Sequence, residues 1–219
     1  MINLPEIPAR IANLHKDSRG YPVPWFVAWL KGGEPCPPGR GEPDFRIIGP
    51  GKLTQAYNES RCWICGRSLI GSSRIFVIGP MCVINRVTSE PPNHRECAEF
   101  AAKACPFLTN PRQKRDYKDM IEHPVTAGNA IQRNPGAVAL YQTSKAKPFQ
   151  AGDGVLFHLG KPIRIDWYAR GRKATRAEIE ESIDTGLPLL MAEAEKEGLE
   201  AVGMLKQMHE TALQYLPAA

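Results

Sequence analysis

Two pairs of metal-seeking side chains stand close together on one short segment of this chain. Cys62 and Cys65 form a C-x2-C pair within R-C-W-I-C-G-R, and His94 and Cys97 form an H-x2-C pair that begins 29 residues after Cys65. This feature constrains the fold more than the hydrophobic pattern does, because four ligands of one cation must converge whatever lies between them. Two apolar runs lie between the pairs, R-I-F-V-I at 74–78 and C-V-I-N-R-V at 82–87, separated by Gly79-Pro80-Met81. Strand-like runs around a short Gly-containing loop read as a β-hairpin. Residues 94–104 are rich in Ala and Glu and read as a helix, with Asn93 as N-cap and Pro106 beyond its end.

A knuckle, a hairpin and a helix with two ligands in its first turn follow the order of a treble-clef zinc finger. The helix N-terminus carries positive dipole charge and presents residues three apart on one face. The expected ligand set is Cys62, Cys65, His94 and Cys97, holding a structural Zn2+ ion. Cys105 follows Cys97 by eight residues, on nearly the same helical face, and is an alternative to His94. The plainer alternative is a set of buried free cysteines beside a surface histidine. Cys82 reads as a small core residue and Cys36 as incidental. Four protein ligands close the coordination sphere, so no catalytic residue is assigned there.

The chain has 219 residues, of which 42% are hydrophobic, enough to bury a core. Residues 1–10 hold no apolar run of signal-peptide length, and no stretch approaches the ~18 apolar residues of a membrane span. The expected setting is the cytoplasm, where paired cysteines hold metal more often than they form disulfides. The expected fold class is α+β. Residues 1–60 read as an extended arm and short strands packing on the zinc module, 61–108 as that module, and 109–136 as a linker. Residues 137–219 read as an antiparallel β-meander plus two helices. In the meander, strands at 155–159 and 163–168 are expected to pair through Gly160-Lys161-Pro162. The capping box T-R-A-E at 175–178 starts a helix that Gly186 is expected to stop, with Pro188 opening the last helix.

The net charge is +5, which permits nucleic-acid binding without demanding it. One basic cluster is Arg112, Lys114, Arg115 and Lys118; another is Arg170, Arg172, Lys173 and Arg176. Arg61, Arg67, Arg74 and Arg86 add charge around the knuckle. These are the candidate contacts to nucleic acid or a partner, and a solvated positive face is the alternative. Trp25, Phe26 and Trp29 could stack on bases, but their strand spacing favours a core role, and Trp63 is expected to pack over the metal. Nucleases of the His-Asn-His type share the treble-clef frame and carry a general-base histidine on the hairpin. Here no histidine lies between Ser72 and Asn93, and Asn85 alone matches loosely. The base that such chemistry needs is absent.

Several segments carry a wider likeness. They are R-G-Y-P-V-P-W-F-V-A-W (19–29), P-D-F-R (43–46), C-W-I-C-G (62–66), G-P-M-C-V-I-N-R (79–86), E-P-P-N-H-R-E-C-A (90–98), C-P-F-L (105–108) and W-Y-A-R-G-R-K-A-T-R (167–176). Together they resemble a family of uncharacterised phage and bacterial proteins. The resemblance implies a protein of a phage or mobile element that binds nucleic acid or blocks a host nucleoprotein complex, such as a CRISPR effector. A divergent nuclease or other phosphate-directed enzyme, and a protein–protein adaptor, are the competing expectations.

Overall fold

A strand that is apolar at nearly every position must be covered on both faces. The segment V-A-L-Y-Q-T at Val138–Thr143 is such a strand, with only Gln142 escaping full burial. The computed structural model describes residues 4–113, 133–152 and 154–218. Lys114, Arg115 and Lys118 of the expected basic cluster lie outside the described residues.

The described elements begin with α1 (Ala9–Ala12), β1 (Val27–Lys31), β2 (Glu34–Cys36), β3 (Glu42–Ile48) and α2 (Lys52–Asn58). The metal segment contributes β4 (Arg74–Ile78), α3 (Pro80–Asn85), β5 (Val87–Thr88), α4 (Arg95–Ala104) and α5 (Pro106–Thr109). Then come β6 (Val138–Thr143), β7 (Ala146–Ala151), β8 (Gly154–Leu159), β9 (Arg164–Ala169) and β10 (Arg172–Lys173). Two helices follow, α6 (Arg176–Glu197) and α7 (Leu199–Leu213). The architecture is mixed α+β with antiparallel sheets. Among the described residues no helix is long and apolar enough to cross a membrane.

β6 lies between β4 and β9 in a sheet of order β10-β9-β6-β4. Its two faces are covered by different parts of the chain. Ala139 and Tyr141 join Phe76, Ile78 and Trp167 against Val83 and Ile84 of α3, Ile179 and Ile183 of α6, and Leu205 of α7. Val138 and Leu140 join Ile75 and Tyr168 against Ala98 and Ala102 of α4. The small residues on α4 let that helix lie close to the sheet. The sheet therefore joins the metal segment to the C-terminal helices. A smaller sheet of order β2-β1-β3 holds the N-terminal strands.

Three expectations require correction. The run C-V-I-N-R-V is not the second strand of a hairpin; residues 80–85 form α3. Pro80 at its first turn presets the helical φ, and Pro80, Met81, Val83 and Ile84 are all buried. Packing of that apolar surface outweighs the β preference of Val83 and Ile84. β4 takes β6 as its partner instead.

The meander is also different. β8 does not pair with β9; it pairs with β7 and β5, in a second sheet of order β5-β8-β7, while β9 pairs with β6. The segments 138–151 and 154–169 thus run as one long antiparallel ribbon. It reverses between Ala151 and Gly154 and bends at Gly160, where a Cβ would sit 2.9 Å from that of Lys145.

Finally, α6 runs through both Gly186 and Pro188. A Cβ at Gly186 would approach Met81 Sδ to 3.0 Å and Arg133 Cζ to 3.1 Å, so the glycine serves close packing and not a helix stop. The proline forfeits one helical hydrogen bond. The core contacts of Leu187, Leu190, Met191 and Ala194 hold the helix together past it. The chain breaks at Gly198, whose φ is 111°.

The N-terminus of α6 has the expected capping box. Thr175 accepts the Glu178 N–H, and the Glu178 carboxylate accepts the Thr175 N–H at 3.0 Å. Arg172 donates to both oxygens of the same carboxylate, each at 2.8 Å. Arg172, first, and the Thr175 N–H hold the Glu178 carboxyl down at about 2, against an ordinary 4.5. A depressed folded-state value stabilises the native state above the unfolded value, and that contribution is lost as pH falls towards the folded value. Glu178→Gln is expected to lower the melting temperature at about pH 7, with the deficit closing between about pH 4.5 and pH 2. Thermal melts of both proteins across that range measure it.

Candidate metal centre

The knuckle is a tight reversal closed by an antiparallel bridge between Arg61 and Ser68. Cys62 N–H donates to the Arg67 carbonyl at 2.8 Å, and Gly66 N–H to the Cys62 carbonyl at 2.8 Å. Gly66 has φ 70°, and a Cβ there would lie 2.5 Å from the Trp25 ring. Both the turn and the close aromatic neighbour therefore require glycine at this position. The turn points Cys62 and Cys65 the same way.

His94 and Cys97 come from the start of α4. His94 is the N-cap, and Asn93 is not, which corrects the expected boundary by one residue. The Asn93 side chain is committed elsewhere, towards the carbonyls of Ile75 and Pro91, each at 3.4 Å. Its backbone N–H donates to the Ile75 carbonyl at 2.7 Å. The start of α4 is thereby tied to β4.

The four ligand atoms of Cys62, Cys65, His94 and Cys97 all lie within 4.8 Å of one another, and the three cysteines are buried. This group could hold a metal ion. The imidazole is already oriented for it. Its Nε2 lies 3.2 Å from the Ser68 carbonyl, and its Nδ1 lies 3.4 Å from Cys65 Sγ. A carbonyl only accepts, so Nε2 carries the proton and Nδ1 keeps a lone pair facing the sulfurs. Cys105, the alternative to His94, sits at the opposite end of α4 as its C-cap. A helix of 10 residues puts that end about 15 Å away.

The thiols constrain one another's charge. Hydrogen bonding with Cys65, and next with Cys97, holds the Cys62 thiol far below its ordinary value, with the His94 N–H assisting. Contact with Cys62 pushes Cys65 and Cys97 upwards. Ionisation of one thiol therefore disfavours ionisation of the other two. A bound dication removes the conflict, since coordinated thiols are deprotonated outright.

The surroundings exclude water. Ile11, Ile64, Leu69 and Phe100 pack around the sulfurs, with Leu4, Ile7 and Leu14 of the N-terminal arm. Arg10 reaches Glu96 on the first turn of α4 at 2.5 Å. Trp63 turns away from this cluster and stacks on Phe26, with centroids 4.6 Å apart. No local signal in the sequence marks Arg10, Ser68 or Asn93 as supports of the site, because each acts across a long chain separation. Cys82, on α3, is a core thiol that burial pushes up to about 11. Asn85, the loose nuclease match, lies on α3 and accepts the Val87 N–H at 3.0 Å.

Several of the expected binding residues are engaged within the protein. Arg61 is paired with Glu59 and also donates to the Gly66 carbonyl. Arg74 donates to the carbonyls of Gly71 and Ser73. Arg86 is half-buried beside Tyr141, Met208 and Tyr215. Arg170 and Arg172 face Glu178, Lys173 pairs with Asp166, and Arg176 pairs with Glu180. Arg67 and Arg112 are exposed and have no carboxylate partner among the described residues.

Comparison with protein-family models, with curated proteins and with solved structures finds no match, so the reading of this site rests on its own geometry. Cys97→Ser is expected to abolish stoichiometric metal binding and to lower the melting temperature sharply. Cys105→Ser and Cys82→Ser are expected to retain the metal. Elemental analysis of the three purified variants, with thermal melts before and after chelation, measures both effects.

Proposed function

We propose that the chain is a non-enzymatic, zinc-stabilised binding protein of a phage or mobile element. It acts on nucleic acid or on a host nucleoprotein defence complex such as a CRISPR effector. The carrying observation is the enclosed group of Cys62, Cys65, His94 and Cys97, whose ligand atoms lie within 4.8 Å of one another. Three thiolates and one imidazole favour zinc over hard cations. With bonds of about 2.3 Å to sulfur and 2.05 Å to nitrogen, a tetrahedral zinc needs ligand separations of roughly 3.5–3.8 Å. The 3.4 Å between Cys65 Sγ and His94 Nδ1 is close to that.

Four protein ligands leave no position for a water or substrate, so the zinc acts as a staple. The knuckle and the start of α4 supply the two ligand pairs, which supports a treble-clef-like reading, although β4 and α3 stand where the hairpin would be. Recognition then falls to exposed cations. The likeness of the sequence motifs to phage and bacterial proteins supplies the biological setting.

Titration of labelled DNA and RNA at several salt concentrations tests this reading. The logarithm of the affinity is expected to fall with the logarithm of salt, by about 0.7 to 0.9 per phosphate neutralised. Absence of binding at low salt, or binding without a salt slope, overturns the nucleic-acid reading. Less than about half an equivalent of zinc in the carefully purified protein overturns the staple.

A further inference from the structure

Three lysines without an ion pair among the described residues lie on the far half of the long ribbon. Residues 144–163 contain Lys145, Lys147, Lys161 and His158, with Asp153 as the single carboxylate. All four are exposed, and none of the three lysines has a salt-bridge partner among the described residues. In contrast, the cations at 170–176 are engaged by Glu178, Asp166 and Glu180.

Register places an aromatic pair beside this charge. Lys147 lies opposite His158, and Phe149 opposite Leu156. Side chains of facing residues share a face, as do those two apart along a strand. Lys147, Phe149 and His158 are therefore on one face of the β5-β8-β7 sheet. Phe157 and Leu159 alternate with His158 and point into the core. On the outer face the Phe149 and His158 rings stack, with centroids 4.1 Å apart and planes 17° from parallel. An open hollow of about 490 Å3 lies alongside, bordered by Ser144, Lys145, Lys147 and His158.

The bend that carries Lys145 and Lys161 is rigidly held. Thr143 is fully buried. Its hydroxyl accepts the Lys145 N–H at 3.2 Å and lies 3.1 Å from the Lys161 carbonyl. One buried side chain thus fixes the backbone at both lysines. β7 is an edge of its sheet among the described residues. Pro148 lacks an N–H, and Lys145 and Lys147 precede it, which blunts this edge against an added strand.

Resting on the nucleic-acid reading above, we infer that this outer face binds single-stranded nucleic acid. An unpaired base stacks on the aromatic pair of half-buried Phe149 and exposed His158, and Lys145, Lys147 and Lys161 contact the phosphates on either side. Stacking requires a base that is out of a duplex, and it tolerates any sequence because every base has a flat face.

The test is fluorescence anisotropy with labelled oligodeoxynucleotides and oligoribonucleotides, single-stranded and duplex, on the intact zinc-loaded protein. Wild type is expected to prefer single strands of either kind. Phe149→Leu and His158→Ala are each expected to weaken binding about tenfold. Lys145→Ala combined with Lys147→Ala is expected to reduce the salt slope by about 0.7 per lysine removed. Lys206→Ala, on the exposed side of α7, serves as the control and is expected to bind as wild type does. Unchanged zinc content and melting temperature confirm that each variant is folded; Phe149→Leu keeps the apolar contact while removing the ring. If wild type binds but the ring and lysine variants bind equally well, this surface is wrong and the broader function stands. Equal affinity for duplex and single strand also overturns the inference. No binding of any oligonucleotide at low salt overturns both readings.

Discussion

Three buried thiols and an imidazole converge within 4.8 Å of one another, so that ionising one thiol disfavours ionising its neighbours. The contact that favours ionised Cys62 disfavours ionised Cys65 and Cys97. A dication converts this mutual repulsion into cohesion. The consequence extends well beyond the knuckle. Ile7, Ile11 and Leu14 of the arm close over the sulfurs, and Cys97 begins the helix whose Ala98 and Ala102 cover β6. Asn93 ties the same helix start to β4. A metal held by this group would join the arm, the knuckle and the start of α4, which is tied to the central sheet.

Charge in this molecule is distributed by pairing, and sequence clusters are a poor guide to it. Asp166 accepts Arg95 at 3.0 Å, Arg164 at 2.7 Å and Lys173 at 2.9 Å. These three cations come from α4, β9 and β10. The carboxyl is held far below its ordinary range: desolvation raises it, but hydrogen bonds from Arg164, Lys173 and Arg95 together prevail. Together with Glu178, it converts the basic run at 170–176 into a strut between the sheet and α6. Lys145, Lys147 and Lys161 of the ribbon have no ion pair among the described residues.

The ribbon shows how one continuous pair of strands can serve two purposes. Its near half, β6 with β9, is buried and carries the core. Its far half, β7 with β8, keeps one face on the core through Phe157 and Leu159 and presents the other to solvent. The bend between them depends on the close approach that only Gly160 allows and on the buried Thr143 hydroxyl. A side chain at 160 would meet Lys145, so the change of direction is written into one glycine.

Local chemistry made several features legible from residues alone. The spacing of Cys62, Cys65, His94 and Cys97 specifies convergence because no other arrangement satisfies one cation, and the Thr175–Glu178 box marks a helix start because its hydrogen bonds span only three residues. The turns and pairings that depend on distant partners were not legible. Val83 and Ile84 read as strand, yet burial against α6 and α7 makes them helical; Gly186 reads as a stop, yet it is a packing contact with Met81 and Arg133. K-x-K-x-F at 145–149 alternates as an exposed strand face would, but its importance emerges only once β8 places His158 beside Phe149. The sequence by itself determined where a metal could be gripped and where a helix would begin, since each ligand pair and the capping box are patterns of residues three apart. Tertiary structure alone decided which strands pair and which cations remain free, because both depend on contacts between segments tens of residues apart.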